Sequence, residues 1–232
     1  MTKKILRTLC IGLPLLPLLL AYLGLVPLWM LAVVDDDVAA YPPALYANAL
    51  APAQQELLLK IEDATFFSHA GVSLANSRGV TTVTSSLARK AFLFHAERKG
   101  VKGVFQSFYR AVFNCCRKVD LGRDVMALVL NAHLDKRHQL ALYAQEVYMG
   151  RAQGKQVKGL AQAASVYLGK PLAQARAAEF AGLVGMIQAP NLYNPLSNRA
   201  AFDQRAARVA AVATGRCVPD GWRDTGFEHC AP

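Results

Sequence analysis

Apolar residues along this chain recur mostly at helical spacing. The periodicity predicts helices over Ala53–Phe67, Thr84–Glu97, Gly122–Asp135, Gln139–Tyr148, Gly159–Leu168, Leu172–Ile187 and Ala200–Ala213. No segment alternates convincingly as a strand, so a mainly α domain follows from pattern alone. Leu57, Leu58 and Ile61 share one face of the first of these helices and bring Glu62 to a helix end.

One segment departs from amphipathic patterning. From Thr8 to Val34 no side chain is charged, a run of 27 residues, where about 20 suffice to cross a bilayer core as a helix. The apolar region of a cleavable signal is shorter, roughly 7–15 residues, and Val33-Val34-Asp35 makes a poor cleavage site. An uncleaved transmembrane helix is expected, kinked by Pro14, Pro17 and Pro27. Lys3, Lys4 and Arg7 precede the run and Asp35, Asp36 and Asp37 come after it, which keeps the N-terminus cytoplasmic and the domain outside. The expected organisation is a cytoplasmic N-terminus at 1–7, an anchor at 8–34, a linker at 35–52 containing Tyr41-Pro42-Pro43, a domain at 53–214 and a tail at 215–232. Within the domain, His95–Arg117 interleaves Arg98, Lys99, Lys102 and Arg110 with Val101, Val104, Phe105, Phe108 and Tyr109. That mixture fits a membrane surface and an ordinary amphipathic helix on the core equally well.

Charge and cysteines refine this picture. The net charge is +10, from 26 Lys and Arg against 16 Asp and Glu. Nothing resembles a nucleic-acid fold and the domain is expected outside the cell, so nucleic acid is excluded as a partner. Anionic headgroups and a pyrophosphate-linked substrate suit the charge, as does a merely solvated basic surface. Of five cysteines, Cys10 lies in the apolar run, and Cys115 and Cys116 are adjacent and suited to plain burial. Cys217 and Cys230 bracket a turn-rich tail. Paired in an oxidising compartment they would close a short loop worth about 3 kcal/mol, and the sequence leaves that pairing open. No Cys/His spacing reads as a zinc site.

The candidate chemistry sits at Glu62-Asp63-Ala64-Thr65-Phe66-Phe67-Ser68-His69-Ala70-Gly71. Aromatic neighbours desolvate a carboxylate and raise its pKa toward the working pH, which suits a general base. The plainer reading of the same residues is a helix stapled to the core by Phe66 and Phe67. The order of the later segments decides the matter: Thr81-Thr82-Val83-Thr84-Ser85-Ser86-Leu87-Ala88-Arg89-Lys90, then Tyr143-Ala144-Gln145-Glu146-Val147-Tyr148-Met149-Gly150, Lys158-Gly159-Leu160-Ala161-Gln162-Ala163-Ala164, and Glu179 through Gln188-Ala189-Pro190 to Tyr193-Asn194-Pro195. This succession, over Ala53–Val212, resembles glycosyltransferase family 51, the peptidoglycan glycosyltransferases, which occur as monofunctional anchored enzymes and as polymerase domains of bifunctional penicillin-binding proteins.

The resemblance implies a lysozyme-like, two-lobed helical domain with its cleft between the lobes. It implies polymerisation of lipid II onto a nascent glycan strand, with inversion and release of undecaprenyl pyrophosphate. Glu62 then stands as the base on the acceptor hydroxyl, with Asp63 and His69 shaping the site. Thr82 and Thr84 keep the hydroxyls of the second motif, and Arg89 and Arg123 fall at cationic positions suited to phosphate. Some family members use a divalent cation, Mg or Mn, at the pyrophosphate, and cell-wall synthesis proteins are expected partners. With no transpeptidase sequence after the domain, a monofunctional enzyme is expected.

Three departures stand out. Ser85 and Ser86 replace two Gln of the second motif, and Ala127 falls where the third motif carries a second Glu. Asp124, one helical turn earlier, is the candidate substitute for that second catalytic acid. Two other classes compete with the polymerase: a paralogue that binds lipid II or a cell-wall partner without turnover, and a lysozyme-like lytic enzyme. Glu179 and the small residues Gly159, Ala163 and Ala164 read as scaffold.

Overall fold

The computed structural model describes residues 3–39, 50–73, 81–115, 120–221 and 224–230. These form ten α-helices: α1 (Lys3–Leu31), α2 (Val34–Ala39), α3 (Pro52–Glu62), α4 (Val83–Arg89), α5 (Gly100–Cys115), α6 (Leu121–His133), α7 (Lys136–Glu146), α8 (Leu160–Ala163), α9 (Ala177–Met186) and α10 (Arg199–Ala213). The mainly α expectation holds. Several starts are set by side-chain caps: Asp120 Oδ1 accepts from Arg123 N–H at 3.0 Å, Asp135 Oδ1 from His138 N–H at 3.0 Å and Asn198 Oδ1 from Ala201 N–H at 3.3 Å.

The differences from the expected boundaries have local causes. The first domain helix stops at Glu62 rather than Phe67, because Asp63 leaves helical geometry at φ −163°, ψ 76° and turns its carboxylate inward. Phe66–Ser68 resumes as a separate 3₁₀ turn. The helix expected at Leu172–Ile187 begins only at Ala177, where Glu179 accepts from Arg176 N–H at 2.8 Å. Arg176 and Lys170 both bind Glu179, at 2.9 and 3.0 Å. The hydrogen bonds from Arg176 lead in pulling the Glu179 carboxyl down to about 2.

Pattern reading gave no strands, yet β1 (Tyr148–Ala152) and β2 (Lys155–Lys158) form an antiparallel hairpin. Gln153 at φ 50° and Gly154 at φ 76° make its turn, the double positive φ that a type I′ two-residue hairpin requires. Strands of five and four residues are too short to display alternation.

Two hydrophobic cores organise the described residues. One gathers Leu58 and Ile61 of α3, Phe66, Met149, Leu160, Phe180 and Leu183 of α9, and Val209 of α10. Gly182 lets α9 and α10 approach closely, since a Cβ there would collide with the Phe202 ring. The tail enters this core through Phe227 and Cys230, and Cys217 and Cys230 are joined as a disulfide. The other core gathers Val26, Trp29 and Met30 of α1, Leu87 and Ala88 of α4, Phe92, Tyr109 of α5, and Met126, Ala127 and Leu130 of α6. α7 serves both, giving Leu140 and Tyr143 to the first and Leu142 to the second.

The end of the apolar run is therefore packed against the domain, while Leu18 and Leu28 are each 66% exposed. Side chains of α1 are described from Leu16 onward, and among the described residues no helix is long and apolar enough to cross a membrane. Of the expected linker, residues 40–49 with Tyr41-Pro42-Pro43 lie outside the described residues. Within the expected His95–Arg117 stretch, Gly100–Cys115 form α5, with Tyr109 and Gln106 buried and Val101, Val104 and Phe108 exposed.

Candidate functional site

Asp63 is the hub of the first motif. Its side chain is fully buried, and its Oδ2 accepts from the Val83 N–H at 3.0 Å, at the start of α4. His69 Nδ1 accepts from the Gly71 N–H at 2.9 Å, so Nε2 carries the proton and donates to Asp63 at 3.0–3.1 Å. Thr82 Oγ1 donates to the Gly71 carbonyl at 2.5 Å. Gly71 itself sits at φ +117°, where a Cβ would stand 2.6 Å from the Ala127 carbonyl of α6. Three stretches of the chain, 63–71, 82–83 and the part of α6 around Ala127, thereby meet at this point.

The second motif is built into the same lock. Thr82 caps α4, accepting from the Ser85 N–H at 3.0 Å, while Ser85 Oγ accepts from the Thr82 N–H at 2.9 Å. Ser85 thus works as the return arm of a capping box. Thr84 is fully buried. It donates to Gln139 Oε1 at 2.7 Å and accepts from Lys136 Nζ at 3.2 Å. Both threonine hydroxyls face the protein interior.

Glu62, half-buried at the end of α3, accepts a hydrogen bond from the Tyr143 hydroxyl at 3.2 Å. Tyr143 also lines an open cleft of about 590 Å³, whose walls carry Arg89, Lys90, Glu146, Tyr148 and Lys158. Lys90 Nζ pairs with Glu146 Oε2 at 2.9 Å and also donates to the Glu146 carbonyl. Burial pushes the Lys90 ammonium below its ordinary value, and Glu146 opposes that push. The Arg89 guanidinium lies 5.9 Å from the Phe94 ring centroid. Three cations and one carboxylate therefore face the cleft among the described lining residues, a balance suited to an anionic ligand.

Of the two aromatics expected beside the carboxylate, Phe67 is 58% exposed and Phe66 is buried. The Phe66 ring carries Lys136 Nζ at 4.5 Å from its centroid. Burial brings Lys136 down to about 8, with the Asp63 charge opposing.

The third motif is placed elsewhere. Arg123, 7% exposed, gives its Nε and Nη2 to Asp124 Oδ1 at 3.1 and 2.9 Å, and neither residue lines the cleft. Ala127 is fully buried in the core around α1, α4 and α6, so a carboxylate at that position would enter packed hydrocarbon rather than a cleft. The structure thus ties Asp63, His69 and Thr82 into one lock, bonds Glu62 to Tyr143 and Thr84 to Gln139 on α7, puts Arg89 on the cleft wall, and leaves Arg123 and Asp124 as a pair of their own. Sequence reasoning missed Lys90, Tyr143, Glu146 and Lys158 as cleft residues. Tyr143 and Glu146 stand three apart on α7, a spacing that puts both on one face.

A family model described as Transglycosylase matches residues 39–214. The chain is 30% identical over 157 residues to penicillin-binding protein 1B of Escherichia coli (strain K12), covering 62% of this chain and 16% of that protein. It is 30% identical over 177 residues to penicillin-binding protein 1B of Haemophilus influenzae, covering 73% and 21%. Penicillin-binding protein 1A of Pseudomonas aeruginosa is 29% identical over 155 residues, covering 61% and 16%. The chain spans about a fifth or less of the length of these relatives.

Proposed function

Since the chain belongs to the Transglycosylase family, we propose that it is a peptidoglycan glycosyltransferase that polymerises lipid II into β-1,4 glycan strands with inversion, releasing undecaprenyl pyrophosphate. The observation that carries this reading is the position of Glu62. It ends α3 and accepts from the Tyr143 hydroxyl, and Tyr143 in turn lines a cleft walled by Arg89, Lys90 and Lys158.

In this reading Glu62 takes the proton of the acceptor sugar hydroxyl as that oxygen attacks the donor's anomeric carbon. Negative charge accumulates on the departing pyrophosphate, and the three cleft cations stabilise it where it develops. Asp63 and His69 act at one remove, holding the loop that fixes the end of α3. The cleft's donor set does not fit a resident divalent cation: Glu146 is its one carboxylate among the described lining residues, and Lys90 already binds it.

The uncharged run at 8–34, the exposed leucines of α1 and the exposed Val101, Val104 and Phe108 of α5 support a single-pass anchor in the cytoplasmic membrane. The domain then works on the extracytoplasmic side, where lipid II, the nascent strand and cell-wall synthesis proteins are its partners. The two separate cores support the lysozyme-like, two-lobed description.

A second reading, a paralogue that binds lipid II without turnover, draws on the third motif. Ala127 is buried and Asp124 is engaged by Arg123, which leaves the second acid unassigned. One experiment separates the readings: detergent-solubilised protein is given labelled lipid II and, separately, finished glycan strands. Polymer supports the proposal, binding without polymer supports the paralogue, and strand cleavage would replace both with a lytic enzyme.

A further inference from the structure

Away from the cleft, the tail gathers a set of soft ligand atoms. One ligand atom each from Cys217, His229 and Cys230 lies within 4.8 Å of the others. His229 Nε2 stands 3.6 Å from Cys230 Sγ, and its Nδ1 stands 3.2 Å from Asp224 Oδ2. Asp224 is itself fixed, accepting from the Phe227 N–H at 2.8 Å and the Asp220 N–H at 2.9 Å. One ring nitrogen aimed at a ligand position and the other tied to a carboxylate is the usual setting of a metal-bound imidazole. Nε2 also faces the Val218 carbonyl at 2.9 Å.

The frame around these atoms does not depend on the disulfide alone. Phe227 is 1% exposed and Cys230 is 4% exposed in the core. Arg205, buried in α10, donates to the Gly226 carbonyl at 2.6 Å and lies 4.8 Å from the Phe227 ring centroid. A pocket of about 290 Å³ opens beside the two sulfurs, with Ala207, Ala210 and Ala211 as its small-residue wall. There is room for the sulfurs to separate.

We propose that the reduced chain binds one zinc-type divalent cation through Cys217, His229 and Cys230, with Asp224 orienting the histidine. The site forms in two balanced steps. A dithiol reductant breaks the Cys217–Cys230 bond, gives two electrons and two protons to the sulfurs, and itself becomes a disulfide. The cation then displaces both thiol protons, and two thiolates with one neutral imidazole leave a site of zero net charge with a fourth position for water. The tail has two alternative closures, a disulfide under oxidising conditions and a metal under reducing ones. Neither the family nor the glycosyltransferase reading is needed for this.

The test uses the full chain in detergent, reduced under anaerobic conditions, freed of reductant and titrated with Co²⁺ and then Zn²⁺. One equivalent of Co²⁺ should produce thiolate-to-metal charge transfer and the intense visible bands of a tetrahedral site, and Zn²⁺ should erase both. The oxidised chain and the Cys217→Ser/Cys230→Ser double variant should show neither. His229→Ala, at a half-exposed position with circular dichroism as its folding control, should weaken Co²⁺ binding by at least about tenfold. The proposal is overturned if the reduced chain gives no bands, if the double variant keeps them, or if His229→Ala binds as tightly as the unaltered chain.

Discussion

Replacing Ala127 by Glu asks directly whether the missing acid of the third motif belongs at that position. Ala127 is fully buried, and its carbonyl is so close to Gly71 that a Cβ there would stand 2.6 Å away. Helix α6 therefore has little freedom to move aside. Forcing the longer side chain into this packing costs about 1–3 kcal/mol. A carboxyl in such surroundings stays protonated, its pKa raised by several units. Keeping a Glu of ordinary pKa neutral at pH 7 adds about 4 kcal/mol at roughly 1.4 kcal/mol per unit. The sum, about 5–7 kcal/mol, rivals the whole stability of a typical domain. Thermal unfolding of the detergent-solubilised variant, followed by circular dichroism, should show a loss of roughly 10 °C or more. Polymerisation of lipid II should not increase. A variant that melts within about 2 °C of the unaltered protein and polymerises faster would show that α6 presents position 127 to the substrate.

Two other substitutions probe the lock and its neighbour. Asp63→Ala leaves the Val83 N–H and protonated His69 Nε2 without their acceptor in a buried site; it should cost about 3–5 kcal/mol in chemical denaturation, and a loss below about 1 kcal/mol would deny Asp63 its role. Lys136, brought to about 8 by burial, binds fewer protons folded than unfolded between about pH 8 and 10.5. Its burial therefore penalises stability below pH 8 and is relieved as pH rises through that window, modestly because the group is partly solvated. Denaturation midpoints measured from pH 7 to 10 should rise for the unaltered chain relative to Lys136→Met, and parallel pH profiles would contradict this.

Much of the scaffold is legible in the sequence, and the reasons for the rest are physical. Helices such as α6 and α10 carry periodic apolar faces and capping residues, so pattern finds them. Asp63 is visible as part of a motif, but its hydrogen bond to the Val83 N–H spans 20 residues and has no periodic signature. Phe66 and Phe67 are chemically equal, yet one closes the core and the other is 58% exposed, because the helix stops at Glu62 and the chain turns. Val26 and Met30 belong to an apolar run that reads as lipid-facing, and only tertiary packing reveals them as core. The cleft cations Lys90 and Lys158 come from the π-helical turn Lys90–Phe94 and the short hairpin, two irregular elements that helical patterning does not anticipate.

The Glu62 carboxylate is the proton acceptor on which the proposed reaction depends, and Glu62→Gln tests it most directly. Gln keeps the side chain's size and its acceptor oxygen for Tyr143 while removing the base. Turnover of labelled lipid II by the unaltered protein and this variant should give glycan polymer from the first and none from the second, with melting temperatures unchanged. Polymer at an undiminished rate from the variant would contradict the assignment.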